Sequence, residues 1–309
     1  MGVIRVAGVA APFGRDLDEC FGRIEETIRR ARMLGVSLVV LPECALGGYL
    51  EDRAGLEPAD LPPVLRADGP EIERLMALAG PTVVCAGYCE DAPGGPYNSS
   101  ICVSGAGAWG HHRKVHLPVR DRDVYSAGDG FAAFDTPVGR LGMMICYDKL
   151  FPEAARSLAL DGAEMVACLS AWPVSRADPA SLRRGSRRFR QFDLFDQARA
   201  AENQVVWVSS NQTGTFGGLR FLGHAKVVDP EGGVLRRTGV REGMAVAGVN
   251  LAGMRARARD PLSHLDERIE DAYAPRPLGR GEAPDGLLRP HAPEVLGEDP
   301  VVGQLLARA

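Results

Sequence analysis

The feature that most constrains this chain is the alternation of strand and helix patterns that begins at its first apolar run. Residues 4–9 (IRVAGV) read as a β-branched strand. Leu17, Cys20, Phe21, Ile24 and Ile28 then recur at helical spacing, and residues 37–41 (SLVVL) read as a short buried strand. Together they form a β-α-β unit. Elements that alternate in this way favour a layered α/β architecture with helices packed over sheet faces.

The pattern continues through the chain. After a Pro-rich loop at residues 57–70, a helix is expected over residues 72–78 and strands over 82–88, 98–103 and 109–114. Strands at 131–135 and 140–145 lead to a helix near 152–160, a strand at 165–169, a long basic helix at 187–203 and a strand at 205–209. Three more strands are expected at 221–228, 233–237 and 244–249. From about residue 275 the chain turns rich in Pro, Gly and charge without an apolar period. This predicts one domain over residues 1–274 and an extended tail over 275–309.

Composition narrows the function classes. A net charge of -4 gives no basic footprint for nucleic acid. No segment is apolar for long enough to span a bilayer, and the first eleven residues lack the marks of a secretory signal. The seven cysteines are odd in number and scattered, unlike the paired framework of a small secreted domain. A reducing cytoplasm is the expected location.

Three residues carry the chemistry. Cys146 ends the apolar run GRLGMMIC and precedes Phe151-Pro152-Glu153, which marks a helix start. A thiol between a strand end and a helix start is expected to be favoured as the nucleophilic thiolate. Glu43 follows the apolar run VVLP, so a strand delivers a carboxylate into the Gly-containing loop CALGGY, where it can take a proton from a thiol or a water. Lys114, in HHRKVHL, stands at another strand end, where an ammonium can stabilise an oxyanion. Taken singly, each has a bland reading: a buried cysteine, an ion-paired glutamate, a solvated basic face.

Together the three resemble the nitrilase superfamily, or carbon-nitrogen hydrolases. The matching stretches are LPECALGGY around Glu43, HRKVHLP around Lys114, GRLGMMICYDKLFPEAAR around Cys146, LSAWP at 169–173, RAAENQVVWVSSNQTG at 199–214 and VVDPEGGVL at 227–235. HLDERIEDAY at 264–273 is similar to the family's closing segment. The resemblance implies a four-layer α-β-β-α sandwich, a Glu-Lys-Cys triad on Glu43, Lys114 and Cys146, a homodimer, and neither metal nor cofactor. Family members carry a second Glu after the lysine. Here Asp121 takes that place, with a shorter reach.

The resemblance also points to a branch. Tyr147-Asp148 and Phe151-Pro152-Glu153 after the nucleophile are similar to amidases and carbamoylases, whereas true nitrilases place Trp-Glu there. A small amide or ureido substrate is therefore expected ahead of a nitrile. An acyltransferase using the same thioester and a catalytically silent relative are the other readings. Tyr49, Tyr147 and Trp172 are candidate pocket residues, with core packing as the alternative for Tyr49 and Trp172. Residues 181–190 hold five arginines, one of which could face a substrate carboxylate, although a solvated face or a subunit contact is the simpler reading. His111, His112 and His116 lack Cys or acidic partners at metal-ligand spacing and read as structural. Cys44 lacks the strand-to-helix turn of Cys146.

Overall fold

A computed structural model describes residues 2–51, 61–174 and 186–273. The expected tail at 275–309 and part of the Pro-rich loop lie outside the described residues, as do Arg183 and Arg184. The first elements are β1 (Ile4–Ala11), α1 (Leu17–Met33), β2 (Leu38–Val40), β3 (Val64–Leu65), α2 (Pro70–Ala79), β4 (Val83–Ala92), β5 (Gly95–Ser104) and β6 (Gly107–Arg113). There follow β7 (Ala133–Thr136), β8 (Gly139–Ile145), α3 (Pro152–Leu160), β9 (Met165–Leu169), α4 (Arg187–Asn203) and β10 (Val206–Ser209). The last are β11 (Asn211–Phe216), β12 (Leu219–Leu222), β13 (Lys226–Val228), β14 (Val234–Arg237), β15 (Gly243–Val249) and α5 (Leu251–Ala258). A compact unit ends at Glu267, and residues 268–273 of a second unit form a short 3-10 turn at Glu270–Tyr273.

The strands form two sheets. One runs β12-β11-β1-β2-β4-β5-β6, with β15 also on β1 and β3 also on β4; the other runs β14-β13-β10-β9-β8-β7. Period-2 alternation sends successive side chains to opposite faces. Leu38 and Val40 of β2 therefore meet Met165, Ala167 and Leu169 of β9 between the sheets. Val39 turns outward onto Phe21, Ile24 and Ile28 of α1 and onto Ile72 and Leu75 of α2. On the far face, Val166 and Cys168 of β9 pack on Ala154, Ala155 and Leu158 of α3 and on Ala200 of α4. The result is the four-layer α-β-β-α sandwich that the resemblance implies, within the layered α/β architecture read from the alternating pattern.

Local chemistry supports these elements. α1 begins where Asp16 accepts a hydrogen bond from the Glu19 amide at 2.9 Å, satisfying one of the first-turn donors. Burying its large apolar side chains contributes about 2 kcal/mol each. Where β1 passes β10 of the other sheet, a side chain at Gly8 would meet the Ser209 carbonyl at 2.4 Å, so glycine is required there.

One expected element comes out differently. The single strand foreseen at 221–228 is two strands in different sheets. β12 pairs with β11, β13 pairs with β10, and the chain crosses between them at Gly223 and His224, both with φ of 63°. The helix foreseen near 152–160 is α3, and between it and Cys146 lies a five-residue 3-10 turn, Cys146–Leu150, that was not foreseen.

The topology also decides where chemistry can sit. β2 and β4 are parallel, as are β8 and β9, and Ile145 lies opposite Leu169. The residues just after β2, β8 and β9 are therefore delivered to neighbouring strand ends. Ligand sites of open α/β sheets form outside the carboxyl ends of the strands.

Candidate active site

Glu43 lies in the loop after β2. A side chain at Gly87 of β4 would come within 2.4 Å of the Cys44 amide nitrogen and 2.9 Å of the Glu43 Cα. Glycine there lets the loop lie flat on β4. The Glu43 carboxylate is fully buried and fixed from three sides. Oε1 accepts from Asn98 Nδ2 and from Lys114 Nζ, both at 2.7 Å, and Oε2 accepts from the Ala171 amide at 2.7 Å. A carboxylate oxygen has two lone pairs, so Oε2 keeps capacity for a proton.

Lys114 follows β6, and its ammonium sits between two carboxylates. It donates to Glu43 and, at 2.6 Å, to Asp121 Oδ2. Burial works against its charge, but Asp121, Glu43 and Cys146 outweigh it and hold the group well above the usual lysine range. Asp121 opens a short 3-10 turn at Asp121–Asp123, which carries its backbone close enough for the short side chain to reach the lysine. Its other oxygen, Oδ1, accepts from the Tyr49 hydroxyl at 2.7 Å. Burial, with Asp121 and Glu43 close by, raises the Tyr49 phenol well above its usual range, so the hydroxyl stays a donor.

Cys146 begins its turn with φ of 48°, an uncommon conformation for a residue with a side chain. Burial pushes its thiol well above the usual range and the Glu43 carboxylate adds to the rise, against the pull of Lys114, Lys149 and the Ala171 backbone. The thiolate foreseen from a strand-to-helix position is thus not the resting form. α3 starts too far along for its dipole to act on the sulfur, and loss of hydration dominates. Among the described residues no hydrogen bond joins the sulfur to Glu43. The rival Cys44 is fully buried, and burial raises its thiol well above the usual range too.

Cys146, Tyr49 and Asp121 border one cavity of about 460 Å³, which Tyr147 and Trp172 also line. The structure therefore brings all seven residues singled out from the sequence to one place: five around the cavity, with Glu43 and Lys114 bonded behind it.

A family model described as Carbon-nitrogen hydrolase matches residues 5–259. The chain belongs to the carbon-nitrogen hydrolase family. A nitrilase of Pyrococcus abyssi is 32% identical over 263 residues, covering 83% of this chain and 93% of that protein. An (R)-stereoselective amidase of a Pseudomonas species is 32% identical over 277 residues, 87% of this chain and 94% of its own length. The crystal structure of a carbon-nitrogen hydrolase from Helicobacter pylori G27 superimposes with a TM-score of 0.78 at 25% identity, covering 88% of this chain and 97% of that one.

Two further groups in this carbon-nitrogen hydrolase were not foreseen as parts of the site. Asp148, two residues after the nucleophile position, accepts from the Ile145 and His116 amides and is bonded by His116 Nδ1 at 2.9 Å and His112 Nε2 at 3.2 Å. His116 also stacks on Phe151, ring centroids 3.6 Å apart. Burial favours the neutral acid, but the two histidines outweigh it and draw Asp148 down to about 2. A depressed carboxylate stabilises the fold above its unfolded pKa and loses that contribution as pH falls through the folded one. Asp148 is therefore expected to supply about 2 kcal/mol at neutral pH, lost between roughly pH 4 and pH 2. Urea unfolding at pH 5 and pH 2.5 checks this: the drop in stability is expected to be smaller in Asp148→Asn.

Behind the turn, the buried Asp196 of α4 accepts from two lysines, Lys149 at 2.9 Å and Lys226 at 2.6 Å, and from the Trp207 indole at 3.0 Å. Both ammonium groups rest on the Phe192 ring, 3.4 and 3.8 Å from its centroid. Arg199 donates to the carbonyls of Lys149 and Leu150 and so fixes the turn from the same helix.

Proposed function

We propose that this chain hydrolyses the carbon-nitrogen bond of a small amide or ureido compound through a thioester on Cys146. The observation that carries the reading is the buried Glu43-Lys114 pair set behind a cavity bordered by the Cys146 thiol. In this mechanism Glu43 takes the thiol proton as sulfur attacks the carbonyl carbon, forming a C–S bond and a tetrahedral oxyanion. Lys114 has three N–H donors, two of them held by Glu43 and Asp121, and the third faces the oxyanion. On collapse the C–N bond breaks and the proton passes from Glu43 to the departing ammonia or amine. Water then attacks the thioester, Glu43 takes its proton, and the acid leaves as the sulfur is reprotonated.

Asp121 acts in this scheme as a positioning residue, holding Lys114 against Glu43 while Tyr49 holds Asp121. The amide reading over a nitrile rests on Tyr147-Asp148 and Phe151-Pro152-Glu153 and on the amidase among the relatives. The same reading includes a homodimer, which light scattering checks, and a cytoplasmic location, in keeping with seven free, buried cysteines. Among the described residues no helix is long and apolar enough to cross a membrane.

The test is ammonia release from a panel of primary amides, N-carbamoyl amino acids, ureido acids and nitriles. Hydrolysis of at least one amide or ureido compound is expected, with Cys146→Ala lowering it to background. Release from nitriles alone, or undiminished release by the alanine variant, would overturn the reading. Added hydroxylamine separates a transferase, which would form hydroxamate in preference to free acid.

A further inference from the structure

All seven cysteines are free and buried, and the reaction proposed above uses only Cys146. Two of the others face each other across a ladder. Cys85 of β4 and Cys102 of β5 are register partners in an antiparallel pair. Among the described residues no other cysteine has a cysteine opposite it. Opposed residues in such a ladder alternate between hydrogen-bonded sites and closer, non-hydrogen-bonded ones. The Cys85 carbonyl accepts from the Leu41 amide at 2.9 Å, on the β2 side of its strand. Its backbone groups therefore point away from β5, and Cys85 and Cys102 occupy a non-hydrogen-bonded site. Cα atoms at such sites stand about 4.5 Å apart, within the span of roughly 4.4–6.8 Å that a disulfide bridges.

The side chains agree with the backbone. Both enter the apolar core between the sheets, among Met143 and Ala167, and both residues are fully buried. The two thiols interact: a hydrogen bond with Cys102, followed by burial, holds the Cys85 thiol well above its usual range. A buried, protonated thiol is inert to reagents in solution. A disulfide at the same place would be equally out of reach of a reducing thiol. Burial therefore preserves whichever state the pair had when the sheets closed over it.

We propose that Cys85 and Cys102 are a modification site, a cross-strand disulfide that closes while the chain folds in the presence of a small disulfide such as oxidised glutathione and is then sealed by the core. One cysteine attacks the oxidised glutathione, forming a mixed disulfide and releasing one glutathione. The second attacks the protein-bound sulfur of that mixed disulfide, forming the S–S bond and releasing the other glutathione. Two electrons and the two thiol protons pass from the cysteine pair to the two glutathiones. The link joins the strands that seat Glu43, since β4 carries Gly87 under its loop and β5 carries Asn98, which donates to its carboxylate. It leaves Cys146 untouched.

Cell-free synthesis of the full chain in reduced and in oxidised glutathione tests this, with the soluble product unfolded in urea containing N-ethylmaleimide and its peptides mapped. The product of oxidising synthesis is expected to carry a link between the Cys85 and Cys102 peptides, and the product of reducing synthesis none. The link should raise the urea midpoint by about 1 M, as closing a short loop does. Folded, reduced protein placed in the same oxidised buffer should acquire the link at least about a hundredfold more slowly, because the sheets must first open. Mixed pairings, an unlinked pair in soluble protein, or insoluble product from oxidising synthesis overturns the proposal. Equally fast linkage in the folded protein does the same. In Cys102→Ala the two products should share one midpoint, and a midpoint still raised by oxidation would place the effect elsewhere and overturn it too.

Discussion

Replacing Glu43 with Gln is expected to lower kcat/KM by about 10³-fold, within the 10²–10⁴ that a positioned general base contributes. Glutamine keeps a carbonyl oxygen for Asn98 and Lys114 and loses the bond that Oε2 accepts from the Ala171 amide, so a folded protein, checked by circular dichroism, is the control for this variant. What is lost is the buried carboxylate whose charge bears on a thiol that burial holds well above its usual range. Cys146 alkylation makes the consequence visible without a substrate. In the unaltered protein the proton passes to Glu43, so iodoacetamide labels Cys146 at neutral pH at a rate that changes little with pH. In Glu43→Gln the proton has to leave to water, so labelling becomes slow at neutral pH and climbs steeply above about pH 9. Neutral-pH labelling as fast as in the parent would remove Glu43 from the role of base.

That prediction separates what the sequence could disclose from what it could not. Glu43 and Cys146 were readable because each follows a recognisable apolar strand, and the parallel pairing of β2 with β4 and of β8 with β9 delivers such positions to neighbouring strand ends, whereas Lys114 follows the basic strand β6 and was readable through the stretch HRKVHLP. The state of the thiol was not readable. It depends on burial by residues distant in the chain, and that loss of hydration outweighs the local turn. Asn98 and the Ala171 amide also escaped notice, since their role exists only through contacts 55 and 128 residues away in sequence. The polar run Asn98-Ser99-Ser100 inside a strand was the one available signal. The break at Gly223-His224 went unseen because apolar residues continue on both sides, and which sheet a strand joins is set by its partner. α5 was missed because the segment LAGMRARA buries only Leu251 and offers no apolar stripe to detect.

The cluster behind the nucleophile turn yields a second large effect, with an ordering that a simple ion pair would not give. Asp196→Ala leaves the ammonium groups of Lys149 and Lys226 buried without their shared carboxylate, and is expected to cost about 3–5 kcal/mol, as removing one partner of a buried pair does. Lys149→Met should cost much less, under about 2 kcal/mol, because an unbranched apolar chain suits the space beside Phe192 and Trp172. It also leaves Asp196 with one lysine rather than two. The present arrangement is already strained in charge: burial depresses Lys226 below the usual lysine range, and the neighbouring Lys149 pushes it further down against the pull of Asp196. Removing Lys149 relieves that repulsion, whereas removing Asp196 aggravates it. Urea unfolding of the two variants at pH 7 measures the difference, and equal losses would show that the lysines do not compete for one anion. Because Lys149 lies in the same turn as Cys146, and Arg199 of α4 holds that turn by its carbonyls, Asp196→Ala should also slow Cys146 alkylation in protein that remains folded. Stability and reactivity are thereby tied to one buried carboxylate, on the helix whose first turn carries Arg187 and Arg188.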